Sequence, residues 1–269
     1  MQKVFEELTV AFRQNRGILN ENQYKDIAIK YTTLLEDSDT IFILLQASGY
    51  PIEFKNNNYI LKTYFTPYEE QKYCVIDIET NGSKPITSQV IEIGAIMVQN
   101  GKIIDQYETF VECAFLPEYI TKITGIEPKD LIDAPSRAEA LMGLRYFMED
   151  AIFVAHNANF DYGFLNASFD RFGLGGIGNP KLCSIDLARR TFESERYGLA
   201  YLIESLNMET ATHHRALSDA LCANMVMAKS LETIPEYVKS TDDLLRFSIS
   251  SKKERRLKNI GVETSISSS

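Results

Sequence analysis

The stretch Tyr73-Cys74-Val75-Ile76-Asp77-Ile78-Glu79-Thr80 and the two runs that follow it, 90–98 and 102–111, decide the fold. Residues 73–78 are a short β-branched and aromatic run, the signature of a buried strand. Between the next two runs stands Gln99-Asn100-Gly101, and Asn-Gly flanked by apolar strands is the strongest short-range hairpin signal. The three runs therefore predict an antiparallel meander.

Downstream the texture changes. Residues 136–148 have helical spacing, Ile152–Ala155 is a short apolar strand, and 160–172 is helical again, stopping before Gly173. Stretches 187–192, 199–206 and 216–231 continue the alternation, which predicts an α/β domain: a mixed sheet with helices packed on its faces. Upstream, the stretches 22–35 and 39–47 are helix-like. The β-prone runs 52–54 and 59–64 flank Asn56, Asn57 and Asn58, and asparagine tolerates the left-handed backbone of a tight turn. Helices followed by a hairpin predict a small α+β module resembling a winged helix. Its seven basic residues are outnumbered by ten acidic ones, which favours a packing or protein-contact role over DNA binding. The expected division is 1–71 for this module, 72–234 for the α/β domain and 235–269 for a largely flexible tail.

At 269 residues and 45% hydrophobic, the chain can bury one core of ordinary domain size with sequence to spare. Its four cysteines lie far apart without metal-ligand spacing, Glu6 and Glu7 stand where a secretory signal would be basic, and no apolar run is long enough to span a bilayer. Together these features predict a soluble cytoplasmic protein. A net charge of −9 argues against a broad basic nucleic-acid grip, so any contact with nucleic acid should be short and local.

The chemistry begins at the end of the first strand. Asp77 and Glu79 are two apart, so their side chains share one face. Among 37 acidic residues that spacing arises about five times by chance, and a solvated strand end is the ordinary alternative. Their place directly after a buried run changes the weighing, because desolvated carboxylates need a cation or donors. A second acid, Asp161, closes His156-Asn157-Ala158-Asn159-Phe160-Asp161 after the strand Ile152–Ala155; Asn159 could cap the helix, and Asp161 could be a plain helix-start carboxylate. His156 reads as structural. The third element is His213-His214-Arg215-Ala216-Leu217-Ser218-Asp219, leading into a helix in which Ala216 and Ala220 let Asp219 approach a neighbour closely. His214, five residues earlier, belongs on the entering loop. Glu92 reads as a half-buried strand residue and Asp186 as a helix cap; both stay outside the site.

Asp-x-Glu-Thr, then His-Asn-Ala-x-Phe-Asp, then His with Asp five residues on, resembles the DEDDh (DnaQ-like) family of 3′ to 5′ exonucleases, which includes the proofreading epsilon-type subunits of bacterial DNA polymerase III. The resemblance runs from about residue 73 to 231 and includes Val90-Ile91-Glu92-Ile93-Gly94 and Ile123-Thr124-Gly125-Ile126. It implies an RNase H-like mixed five-stranded sheet whose first three strands are antiparallel. A tyrosine variant of the family would carry that residue four positions before Asp219; Arg215 stands there, so the histidine class is implied. Asp77, Glu79, Asp161 and Asp219 would hold two Mg²⁺ or Mn²⁺ ions about 3.5 to 4 Å apart, which clamp the oxygens of an in-line displacement. Carboxylate oxygens suit such hard cations, not zinc. His214 would be the general base, its ordinary pKa near 6.5 suiting neutral pH. Thr80 and Asn157 would contact the terminal sugar and phosphate, and Ile126 and Phe160 its base or ribose, although these two could equally be core.

The implied function is release of nucleoside monophosphates from DNA 3′ ends in proofreading or repair. The alternatives are RNA trimming of the RNase T or oligoribonuclease kind, and a non-catalytic partner-binding module. Asp242-Asp243-Leu244-Leu245-Arg246-Phe247 resembles a sliding-clamp-binding peptide, with Leu245 and Phe247 as anchors and Asp242 in place of the usual glutamine. A polymerase subunit is a further possible partner. The basic residues Lys252, Lys253, Arg255, Arg256 and Lys258 read as a solvated tail or a nucleic-acid contact.

Overall fold

The computed structural model describes residues 1–32, 37–207 and 215–259. Its first element is a helix upstream of the stretches read as helical: α1 (Gln2–Gln14), which buries Val4, Phe5, Leu8 and Phe12. These recur every three to four residues, so they form one apolar stripe. After α1 come β1 (Ile18–Asn20), α2 (Glu21–Ala28), α3 (Ser38–Ala47), β2 (Ile52–Lys55), β3 (Asn58–Leu61) and a single turn, α4 (Lys62–Phe65). The helix expected over 22–35 is thus shorter than its pattern, closing in a 3-10 turn at Ile29–Tyr31. The strands form an antiparallel sheet in the order β1-β3-β2. Asn56 and Asn57 turn the hairpin with φ of 51° and 58°, the left-handed conformation that asparagine accepts. Tyr24, stacked on Tyr59 at 3.7 Å, sits at the centre of this module's own core.

The main sheet is built as the alternation implied. Strands β4 (Tyr73–Thr80), β5 (Val90–Gln99) and β6 (Lys102–Phe110) form the antiparallel meander. Helices α5 (Glu118–Thr124), α6 (Pro128–Ile132) and α7 (Arg137–Met148) lead to β7 (Ile152–Ala155), which lies parallel to β4. Helix α8 (Ala158–Arg171) then crosses to β8 (Lys181–Cys183), parallel to β7. The sheet order is β6-β5-β4-β7-β8, a mixed five-stranded sheet. Alternation along β4 splits the core in two. Cys74, Ile76 and Ile78 face α7 and α8, while Tyr73 and Val75 face the layer containing α9 (Ser184–Thr191), α10 (Leu199–Ser205) and α11 (Ala216–Leu231). Among the described residues no helix is long and apolar enough to cross a membrane.

The C-terminal segment departs from expectation. Residues 241–249, read as the start of a flexible tail, form α12 (Thr241–Ile249), capped by a reciprocal Ser240–Asp243 box. Leu244, Leu245 and Phe247 join the core beside Val75, Ile96 and Met227. With Leu245 at 8% and Phe247 at 4% exposure, the anchors of the clamp-like peptide are consumed by packing and are not displayed. Asp242, 2% exposed, accepts hydrogen bonds from Arg13 Nε at 2.9 Å and Nη2 at 2.7 Å. The segment is therefore a strut between the N-terminal module and the sheet, and α13 (Lys252–Asn259) follows it. A second strut is Arg145 on α7, which donates to the carbonyls of Ser48, Gly175 and Gly176 and lies 4.2 Å over the Phe169 ring.

Candidate active site

Strand β4 outlasts the core at its C-terminal end. There the positions that held Tyr73 and Val75 deeper in the sheet are taken by Asp77 and Glu79, on the face covered by α11. Helix α11 starts at Ala216, and Asp219 falls in its first turn. Ala216 and Ala220, both fully buried, let the helix come down onto the strand. One carboxylate oxygen from each of Asp77, Glu79 and Asp219 then lies within 4.8 Å of the others. Asp161 arrives from α8 on the opposite layer, is 3% exposed, and has the backbone amides of Asp161 itself and Ile78 near enough to favour its charged form. Four acids separated by up to 142 residues thus gather around the end of one strand.

Their electrostatics follow from the crowding. Burial, then the negative charges of Asp161, Asp219, Glu79 and Glu92, hold the Asp77 carboxyl well above the usual carboxylate range. The Asp77 side chain keeps an opening to solvent although protein surrounds it on most sides. Burial also pushes Glu79 up to about 7, with Glu92, Asp219 and Asp161 adding to the rise and Arg215 opposing it. Asp161 likewise rises to about 7, chiefly through burial and despite its two amide donors. Like charges this close cannot all ionise cheaply unless something positive stands among them. The donors are carboxylate oxygens, with neither thiolate nor imidazole in the described cluster, which fits a hard divalent cation.

One residue left outside the site belongs at its edge. Glu92 is fully buried and pairs in register with Glu79 across β4 and β5. Its carboxylate accepts from Arg215 Nε at 2.8 Å and from the Ala216 amide at 3.1 Å. The available signal was a lone acid inside the apolar run 90–98, since a buried charge implies a partner. Nothing local named Arg215 as that partner.

The remaining site expectations divide. Asn157, and not Asn159, occupies the N-cap of α8, in the left-handed region at φ 71°. Asn159 lies one residue inside the helix and accepts from Lys181 Nζ. Phe160 is 37% exposed beside Asp161 and leans on Phe164. Thr80 ends β4 and donates to the Gly82 carbonyl at 2.9 Å. Ile126 must be corrected: at 1% exposure it packs with Ile91, Ile120 and Leu131, so its side chain fills core and does not face a nucleotide. His156 is structural. Its Nε2 donates to the Tyr197 carbonyl, its Nδ1 accepts from the Ser184 hydroxyl, and burial pushes its pKa down to about 4. His214 lies outside the described residues; its neighbour Arg215 is the first described residue of that segment.

A family model described as Exonuclease matches residues 74–227, which take in all of the five-stranded sheet but Tyr73 and most of α11. The PolC-type DNA polymerase III of Staphylococcus aureus is 34% identical over 196 residues, covering 72% of this chain. The chain spans only 13% of that relative's length. Among solved structures, Escherichia coli exonuclease I in complex with a dT13 oligonucleotide superposes with a TM-score of 0.54 at 19% identity, covering 61% of this chain and 41% of that one. The same enzyme with a dA16 oligonucleotide gives 0.55 at 18% identity, over 66% and 43% of the two chains. At these identities the likeness establishes the fold.

Proposed function

The chain belongs to the exonuclease family, and on that premise we propose that it is a 3′ to 5′ exonuclease releasing nucleoside monophosphates from DNA ends. The observation that carries the proposal is the convergence of Asp77, Glu79 and Asp219 within 4.8 Å, with the buried Asp161 beside the same strand end. In this reading those four carboxylates hold two divalent cations, Mg²⁺ or Mn²⁺. When bound, the ions supply Lewis-acid polarisation and charge neutralisation at the scissile phosphate. The chain's own residues supply the rest. His214 takes the proton from the attacking water, a role a neutral imidazole can fill near pH 7. Phe160 offers its exposed ring to the terminal base, and stacking of this kind tolerates any sequence. Thr80, at the end of β4, and Asn157, at the N-cap of α8, serve in this reading as polar contacts for sugar and phosphate.

A DNA substrate in proofreading or repair is the favoured setting, since the relative at 34% identity is named as a DNA polymerase and exonuclease I was solved with DNA oligonucleotides. A replicative polymerase is the partner this reading suggests, and a cytoplasmic location follows from it. The test compares 5′-labelled single-stranded DNA, a mismatched primer duplex and RNA, each with Mg²⁺ or Mn²⁺. A ladder shortening by one nucleotide from the 3′ end, absent for Asp77→Ala, is expected. Internal cuts, or activity that survives Asp77→Ala, would overturn the assignment, and faster degradation of RNA would move the substrate class to RNA.

A further inference from the structure

Strand β5 presents a second row of residues to α11. Glu92 and Gly94 point to the face that also carries Glu79 and Asp77, their respective register partners on β4. On the other flank the same rows continue into Phe110 and Glu108 of β6. Among the described residues, the side-chain hydrogen bonds, ion pairs and ring contact of Arg215 fall on these rows. Its Nε and Nη2 meet Glu92 at 2.8 and 2.7 Å, its guanidinium lies 5.1 Å from the Phe110 ring centre, and Glu108 is 3.7 Å away. Glu92 holds the Ala216 amide as well, so it grips both the residue before α11 and the first residue of the helix. Beneath that grip Gly94 admits the helix backbone: a Cβ there would stand 2.0 Å from the Leu217 nitrogen.

An acid buried beside four other carboxylates is an expensive choice, because it adds to the repulsion that raises Glu79 and Asp77. Packing alone would be served by an apolar residue. What an acid does here that an apolar residue cannot is capture a guanidinium and a helix-start amide together.

We propose that the Glu92–Arg215 pair is a positioning latch, which fixes the first turn of α11 on β5 and so sets Asp219 in place beside Asp77 and Glu79. The pair acts through the ligands and not on the substrate. The inference rests on the metal site of the proposed exonuclease, and its decisive readout needs no turnover.

The test is Mn²⁺ titration calorimetry on the whole chain, unsubstituted and as Arg215→Met and Arg215→Lys, beside kcat and KM on single-stranded DNA. Coulomb's law makes the discrimination sharp. Removing a cation near the carboxylates should by charge alone tighten Mn²⁺ binding, whereas loss of a positioning group should weaken it. The latch predicts a fall in Mn²⁺ affinity of about tenfold or more for Arg215→Met. It also predicts a comparable drop in kcat, KM within about threefold, and partial recovery in Arg215→Lys, which keeps the charge but not the two-pronged donor. Unchanged or tighter Mn²⁺ binding would overturn it. So would a rise in KM alone, which would make Arg215 a phosphate contact. If Arg215→Met fails to fold, Arg215→Lys takes its place: with the charge kept, a smaller but measurable fall in Mn²⁺ affinity supports the latch, and unchanged or tighter binding overturns it. A chain that binds Mn²⁺ through the latch yet releases no nucleotide would sink the exonuclease reading and leave the latch standing.

Discussion

Replacing Glu79 by glutamine should stabilise the metal-free protein at pH 8. In the folded state the Glu79 carboxyl is pushed from its ordinary 4.5 to about 7, so the fold favours the neutral form. A group with a raised folded pKa contributes stability that is fully present below the unfolded value and is lost as pH rises through the folded value. The window therefore runs from about pH 4.5 to about pH 7. At about 1.4 kcal/mol per pH unit, the climb amounts to about 3 kcal/mol at pH 8. Glu79 is partly open to water and shares its repulsion with Asp77 and Asp161, so about half of that is the safer expectation. Glutamine carries no charge at either pH and escapes the loss. The assay is urea unfolding of both chains in EDTA at pH 4.5 and pH 8. Near-equal stabilities at pH 4.5 and a clear gain for Glu79→Gln at pH 8 are expected. Added Mn²⁺ should then reverse the order at pH 8, because a cation neutralises what the substitution deletes. A variant no more stable than the parent at pH 8, or a gain that is the same at both pH values, would refute the claim that the cluster is repulsive without metal.

Other consequences can be measured separately. Arg13→Met strands the buried Asp242 and should cost about 3 kcal/mol in urea unfolding, while adding Asp242→Leu should recover most of it. Equal stability of parent and Arg13→Met would show that α12 is not anchored through this pair. Phe160→Ala should raise KM for single-stranded DNA by about tenfold and leave the thermal midpoint nearly unchanged, because the ring is 37% exposed. A midpoint that drops steeply would make Phe160 a packing residue. Turnover should fall below about pH 6.5 as His214 takes a proton. Because Glu79 and Asp161 near 7 must shed protons before they can take a cation, raising Mn²⁺ should move part of that acid limb to lower pH. A rate flat from pH 5 to 8 would exclude both effects. Gly94→Ala drives a methyl into the α11 backbone and should cost about 3 kcal/mol or more; a loss below 1 kcal/mol in thermal unfolding would show that the helix start gives way freely.

Much of the domain was legible because its signals are local. The Asn100-Gly101 turn, the alternation that puts Asp77 and Glu79 on one face, and the apolar runs of β4, β5 and β7 depend on neighbours two to four residues apart. The family-like order of Asp77, Glu79, Asp161 and Asp219 named the acids that the fold then gathered: Asp77 and Glu79 end an apolar strand, and Asp161 and Asp219 stand in the first turns of α8 and α11. Other features were silent for an equally physical reason. Charge pairing has no period. Arg13 meets Asp242 across 229 residues, and Glu92 meets Arg215 across 123, so neither partner is written near the other. Residues 241–249 looked like the start of a polar tail because their acids are matched by a cap and by an arginine from the other end of the chain. Ile126 and Phe160 were equivalent on paper; only packing decided that one is enclosed and the other open. Local order thus determined which groups could take part in the chemistry, and tertiary contact decided which of them are buried, paired or free to meet a ligand, because desolvation and Coulomb energy depend on distances in space and not along the chain.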